Sequence, residues 1–314
     1  MKVLVTGANG YVGRAARQAL ADAGHEVVSA VRSLDRLTPD RRAGAVAVGP
    51  VDATTDWRAA LDGVEAVLHT VAPQFSDQDE AAQRDDANRV IVAGTERLLE
   101  QSIAVGVGRF VYLSSLKAMG EESGARPLTE SDIPAPRGVY AEAKLAAERR
   151  VLAVAPGAVV IRSPAVYGQS SSGNVRQMIE FLRRPPAVLP LGYSGNRRSF
   201  IHRANLVSAL VRCVEAPEAA GRTFLVSDGD ALSTDALVRR MLRALGRRAW
   251  VVPVPGAFLS ALAGARMGSE SARRLVQSYA VDDQAIRSSL GWQPPLDGDQ
   301  AMADAVLAGP DPCL

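Results

Sequence analysis

A chain of 314 residues with 47% hydrophobic and 22% charged side chains has the make-up of an ordinary globular protein, long enough for one large domain or a domain with a smaller lobe. Its 36 basic and 34 acidic side chains leave a formal net charge of +2 without a basic stripe or a long like-charge block, so neither a nucleic-acid nor a membrane partner is expected. Cys213 and Cys313 lie far apart, without metal-ligand spacing, and read as free thiols; with no apolar run of membrane-spanning length and a strand starting at residue 2, a cytoplasmic protein is expected. In chain order, KVLVT (2–6) reads as a buried strand and YVGRAARQALADAG (11–24) as an amphipathic helix closed by Gly24. EVVSAV (26–31), GAVAV (44–48) and EAVLHT (65–70) are further strands, and TDWRAAL (55–61) a short helix. A long helix is expected near 80–105, then the strand RFVYLSS (109–115), a helix near 139–154 and the strand AVVIRS (158–163). Continuous apolar strands separated by helices require a parallel sheet covered on both faces, and right-handed crossovers make it doubly wound. After Val166 the alternation gives way to proline- and glycine-rich segments. The expected fold is therefore α/β: a dinucleotide-binding domain over 1–165, to which about 196–229 returns, and a smaller mixed α/β substrate-binding lobe from 166–195 and 230–314.

The loop between the first strand and the first helix, TGANGYVG, sets Gly7, Gly10 and Gly13 with two residues between each pair. Gly7 permits a tight turn, Gly10 lets a pyrophosphate approach the backbone, and Gly13 lets the helix pack against the sheet. The helix N-terminus then offers unpaired N–H groups and a partial positive charge to phosphates. A glycine-rich turn without a ligand is the alternative, and the strand–loop–helix context speaks against it. On a later helix, YAEAK puts Tyr140 and Lys144 four apart, hence on one face. A free tyrosine, with a pKa of about 10, is a poor acid–base group at neutral pH, but a neighbouring ammonium and a bound nicotinamide stabilise its phenolate. A third group belongs at the carboxyl end of a strand, where open parallel sheets bind ligands. YLSSLKAMG ends its strand in Ser114 and Ser115, of which Ser115 is the candidate and Ser114 a neighbour.

Glycine loop, tyrosine–lysine pair and serine together resemble the extended short-chain dehydrogenases/reductases, and among them the NAD-dependent epimerase/dehydratase family, close to its UDP-glucose 4-epimerase-like subgroup. The resemblance covers nearly the whole chain. It implies a Rossmann fold, a homodimer, and an NAD(P)-dependent oxidoreductase or epimerase with Ser115, Tyr140 and Lys144 as catalytic residues. It also implies cofactor contacts at Tyr11 in the glycine loop, at Asp52 in VGPVDATTDW near the adenine, at Ala72 in LHTVAP, and at Lys144 on the nicotinamide ribose. Asn174 in SSSGN and Arg198 in RRSFIH fall where family members hold a nucleotide sugar's pyrophosphate, with Arg274 as a looser second contact. A guanidinium fork suits phosphate because it donates two parallel hydrogen bonds. The chain departs from the family pattern at Ile91, which replaces a usual asparagine in VIVAGT, and at Lys117, which stands for threonine. SLK replaces the dehydratases' TDE, which disfavours dehydration. His69 and His202 read as structural, and no metal site is expected.

The second strand, HEVVSAVRS, ends in Val31 and Arg32, where such folds offer the ribose an acidic residue. Nothing there repels a 2′-phosphate, and Arg32, with Ser33 and Arg36, is placed to bind one; the alternative is a surface arginine on an arginine-rich chain. NADP(H) is thus the preferred cofactor expected, with NAD(H) the alternative. An epimerase returns its hydride to the same substrate and retains its cofactor, whereas a reductase exchanges it. The expected function is therefore a ketoreductase acting on a nucleoside-diphosphate sugar. Alternatives are an NAD-dependent nucleotide-sugar 4-epimerase, a reductase of a non-sugar ketone, and a non-catalytic dinucleotide-binding sensor.

Overall fold

Seven mostly apolar strands pair side by side in a computed structural model, which describes residues 1–35, 42–73, 79–169, 171, 173–267 and 269–307. They are β1 (Lys2–Thr6), β2 (Glu26–Val31), β3 (Ala45–Ala47), β4 (Ala66–His69), β5 (Arg109–Ser115), β6 (Val159–Ser163) and, from much later in the chain, β10 (Thr223–Leu225). All pairings are parallel, in the order β10-β6-β5-β4-β1-β2-β3. The order reverses between β1 and β4, and this opens a crevice at their carboxyl ends.

Side chains alternate across the sheet and so divide the core in two. Val3 and Val5 face a layer formed by α1 (Tyr11–Asp22), α6 (Arg203–Glu215) and α10 (Gln284–Leu290), with Leu20, Leu210, Ile286 and Trp292 at the contact. Leu4 faces the opposite layer, where α3 (Gly94–Ala104) and α4 (Val139–Val154) contribute Leu98, Leu99, Ala147 and Val151. Both faces being covered is the reason these strands read as unbroken apolar runs.

One local expectation fails and another holds with an irregularity. No helix forms over 55–61: Ala60 and Leu61 close a single turn on the Trp57 carbonyl, each at 2.9 Å. The competing partners are tertiary, since the Trp57 N–H bonds Gln101 Oε1 at 2.9 Å and its ring is fully buried. Gly63, with φ +66°, then turns the chain away. The helix near 80–105 is α2 (Glu80–Ala87) and α3 joined by a π-helical turn, Asn88–Ala93, in which Ile91 is 1% exposed.

Beyond β7 (Ala165–Tyr167), smaller sheets take over. β9 (Arg198–His202) pairs parallel with β7 and antiparallel with β11 (Ala231–Leu232); β8 (Val188–Gly192) pairs parallel with β12 (Trp250–Pro253). With α5 (Asn174–Leu182), α7 (Thr234–Ala244) and α11 (Gly298–Leu307) they enclose a separate core around Leu182, Leu189, Met241, Val251 and Met302. Helices α8 (Gly256–Met267) and α9 (Ser269–Val276) follow β12. No helix among the described residues is long and apolar enough to cross a membrane.

Candidate active site

The glycine loop leaves no room for side chains. A Cβ on Gly13 would lie 2.2 Å from the Gly7 carbonyl oxygen and 2.9 Å from Thr70 Oγ1, and Gly7 itself has φ +65°. The Gly10 amide closes the turn on Gly7 O at 2.8 Å. Helix α1 starts behind it with neither a side-chain cap nor an acidic residue in its first turn, so its N-terminal N–H groups face the crevice uncompensated. This cradle fits a dinucleotide's pyrophosphate. Tyr11 opens α1 with its ring 4.8 Å from the Arg203 guanidinium, and its phenol lies against Gly168, where a Cβ would come within 3.1 Å.

Lys144 is 2% exposed, and its Nζ donates to Leu113 O at 3.0 Å and Val71 O at 3.5 Å, at the ends of β5 and β4. Burial pulls its pKa down to about 8, against the pull of the Glu148 carboxylate. Tyr140, one turn earlier on α4, holds its ring centroid 6.0 Å from that ammonium and hydrogen-bonds Ser115. Burial pushes the Tyr140 phenol up to about 12, with the Ser115 bond opposing. Ser115, Tyr140 and Lys144 therefore meet at the carboxyl ends of β5 and β4, beside the point where the sheet order reverses.

Ser114, by the alternation of a strand, points the other way. Its buried hydroxyl donates to Glu148, which also holds Arg162 in an ion pair of 2.6 Å. This pair, 1% and 8% exposed at the side chains, was not read from the sequence. Two signals pointed to it: Glu148 continues the every-fourth spacing of Tyr140 and Lys144, and Arg162 interrupts an otherwise apolar strand.

The other expected residues lie on separate elements. Asp52 is half-buried and accepts from the Thr54 N–H (2.8 Å) and hydroxyl (2.7 Å), which hold its carboxyl below the usual range. Ala72 is exposed just beyond β4, and Arg32 is exposed beyond the buried Val31. Ser33 is committed elsewhere, donating to Asp35 at 2.7 Å; Arg36 lies outside the described residues. His69 is fully buried between Thr6 Oγ1 (2.6 Å) and Thr95 Oγ1 (2.9 Å), and burial pushes its pKa down to about 3. His202 caps α6 through its ring, which sits 3.0 Å from Asp304. No group of three metal-ligating side chains occurs among the described residues.

Arg198 begins β9, partly buried, with its guanidinium 5.7 Å from the Tyr279 ring and, among the described residues, only a long bond, 3.4 Å, to Gln277 O. Burial and the neighbouring Arg274 push its pKa down to about 10. The Tyr279 hydroxyl donates to Gly120 O at 2.6 Å, tying this arginine to the end of the turn that starts at Ser115. Tyr279 was also missed, because nothing in the sequence links it to residue 120. Asn174 is exposed at the start of α5.

Such a crevice, with a Ser–Tyr–Lys set at the carboxyl edge of a Rossmann sheet, defines an extended short-chain dehydrogenase/reductase. The chain belongs to the NAD dependent epimerase/dehydratase family, which it matches over residues 3–227. It is 33% identical to a UDP-glucose 4-epimerase of Vibrio cholerae, over 97% of this chain and 95% of that one. It is 30% identical to a 3 beta-hydroxysteroid dehydrogenase/Delta 5-->4-isomerase of Mycobacterium tuberculosis, over 79% and 70%. Among solved structures, MoeE5 in complex with UDP-glucose and NAD superposes with a TM-score of 0.74 at 25% identity, covering 98% of both chains. The protein is thus an oxidoreductase or epimerase of the short-chain dehydrogenase/reductase superfamily.

Proposed function

We propose that the protein is a ketoreductase of a nucleoside-diphosphate sugar, with Ser115, Tyr140 and Lys144 as its catalytic residues and NADP(H) as its preferred cofactor. The observation that carries the substrate is Arg198, a partly buried guanidinium with no carboxylate partner among the described residues and a second arginine close enough to depress its pKa. A desolvated charge without a counter-ion is costly, and an arriving diphosphate removes that cost with paired, charge-assisted hydrogen bonds. Arg274 and Asn174 complete the diphosphate site in this reading. Gly7, Gly10, Gly13, Tyr11, Asp52 and Ala72 form the dinucleotide cleft.

In this reading Tyr140 is the proton donor of the reducing direction. A phenol held near 12 is protonated at neutral pH and ready to deliver its proton to a ketone oxygen. A nicotinamide dinucleotide held by the Gly7–Gly10–Gly13 cradle would supply the hydride. Ser115 orients the oxygen, Tyr140 gives it the proton, and the Lys144 ammonium stabilises the phenolate left behind. The reverse oxidation needs that phenolate first. A second reading, an NAD-dependent 4-epimerase, is supported by the likeness to the Vibrio cholerae epimerase and to MoeE5. A retained NAD that survives dilution would select it.

Calorimetry with UDP and dTDP tests the substrate class. The unmodified protein should bind one of them, and Arg198→Ala should weaken binding by about 1.5–3 kcal/mol, as for a hydrogen bond to a charged group. Absence of binding of both UDP and dTDP at millimolar concentration would move the reading to a smaller or hydrophobic ketone.

A further inference from the structure

The C-terminal lobe ends in a corner that neither the crevice nor its chemistry uses. The parallel pair β8–β12 presents two faces: Leu189 and Val251 turn inward to the core, while the register partners Val188 and Trp250 turn outward, 49% and 74% exposed. The Trp250 amide bonds Ala187 O at 2.8 Å, fixing the indole beside the chain that leaves α5. Next to this uncovered apolar pair lies a groove lined by Arg183, Arg184, Pro185, Gly246, Arg247 and Arg248. The side chains of Arg184, Arg247 and Arg248 make no ion pair or hydrogen bond among the described residues, whereas Arg183 bonds Glu180 and Val306 O. The only acids on the flanking helices, Glu180 and Asp235, are each held by an arginine of their own helix, Arg176 at 2.6 Å and Arg239 at 2.9 Å. Basic residues after a helix offset its dipole, and both α5 and α7 end here. That account leaves the exposed indole unexplained, and it does not require four guanidinium groups in one groove.

We propose that this corner docks on an anionic lipid surface, the arginines meeting the phosphate headgroups and Trp250 with Val188 entering the interfacial layer. Indole is amphipathic and settles at that depth, while basic side chains are drawn to the negative surface. A soluble polyanion would use the groove and leave Trp250 and Val188 in water. A second copy related by a two-fold axis would bring arginine groove against arginine groove.

Flotation with vesicles tests the proposal, with Trp250 as the reporter, since the other two tryptophans, Trp57 and Trp292, are 0% and 4% exposed. Vesicles of phosphatidylcholine with about a third phosphatidylglycerol should carry the protein, blue-shift its emission, and release it as salt rises; pure phosphatidylcholine should do none of this. The pair Arg247→Ala and Arg248→Ala should lower partitioning by about tenfold or more, and Trp250→Ala should abolish the shift, both without loss of turnover on a soluble substrate. Equal uptake on neutral vesicles, absence of uptake on either, capture of tripolyphosphate without vesicle binding, or conversion of a dimer to monomers by Trp250→Ala would each overturn it.

Discussion

Tyr140 carries its own test. Burial holds its phenol near 12, so it is protonated at neutral pH, as the proposed proton donor must be. Tyr140→Phe keeps the ring and its packing and removes the hydroxyl, with its bond to Ser115. Turnover should fall by about 10² or more while dinucleotide binding stays intact, as read by single-turnover kinetics beside cofactor titration. Near-normal turnover in that variant would remove Tyr140 from the chemistry. His69 makes a different prediction, for stability. Its pKa is pushed down to about 3 when folded, against about 6.5 in an unfolded chain. Between those values the unfolded state binds the extra proton, so this contribution to stability is present above about pH 6.5 and is lost as pH falls, by about 1.4 kcal/mol per pH unit. Denaturant titrations from pH 7 to 4 should show that slope, and His69→Gln should flatten it. Tyr140, Lys144 and the glycines were legible because helix spacing and backbone sterics act locally. The depressed His69 was not, since its partners Thr6 and Thr95 come from other parts of the chain.

Helix α4 orders the site by spacing: Tyr140, Lys144 and Glu148 succeed one another by one turn each, and the last is clamped to β5 through Ser114 and to β6 through Arg162. The clamp fixes α4 against the strand that carries Ser115, so a buried ion pair here sets geometry. Such a pair is costly to break from one side, because the abandoned charge stays buried. Glu148→Gln should therefore destabilise the protein by about 3–5 kcal/mol. It should also act on Lys144, whose pKa Glu148 raises. With that carboxylate gone the ammonium is lost sooner, so the alkaline limb of the kcat/KM profile should move to lower pH, and Glu148→Asp should return it towards its place. A limb unmoved in Glu148→Gln would confine the residue to packing. Strands β1, β2 and β5 sit where their apolar runs begin and end, because covering both faces leaves a plain pattern. The failed helix at 55–61 and the π-helical turn at Asn88–Ala93 depend on Gln101, Val51 and the fully buried Trp57, whose positions only the assembled sheet determines.

Charge shows what a sum over the chain conceals. A net of +2 predicts no polyanionic partner, yet the pairs Arg183–Arg184 and Arg247–Arg248, distant in sequence, meet in one groove because β8 pairs with β12. The same holds for Arg32, which stands exposed just beyond β2, the strand paired with β1. A ligand that binds only the folded chain stabilises all of it, by an amount that grows with its concentration over its dissociation constant. Cofactor preference can therefore be read from global unfolding. A partly exposed guanidinium–phosphate contact should favour NADPH over NADH by about 1–2 kcal/mol, or roughly 5- to 30-fold. At equal saturating concentrations NADPH should raise the melting temperature by about 2–3 °C more than NADH, given the unfolding entropy of a chain this long. Arg32→Ala should erase the difference and leave the NADH shift unchanged, and Val31→Asp should reverse it by repelling the 2′-phosphate and offering the ribose an acceptor. Equal shifts for the two dinucleotides in the unmodified protein would make Arg32 a surface charge. The reading would then pass to an epimerase that keeps its NAD.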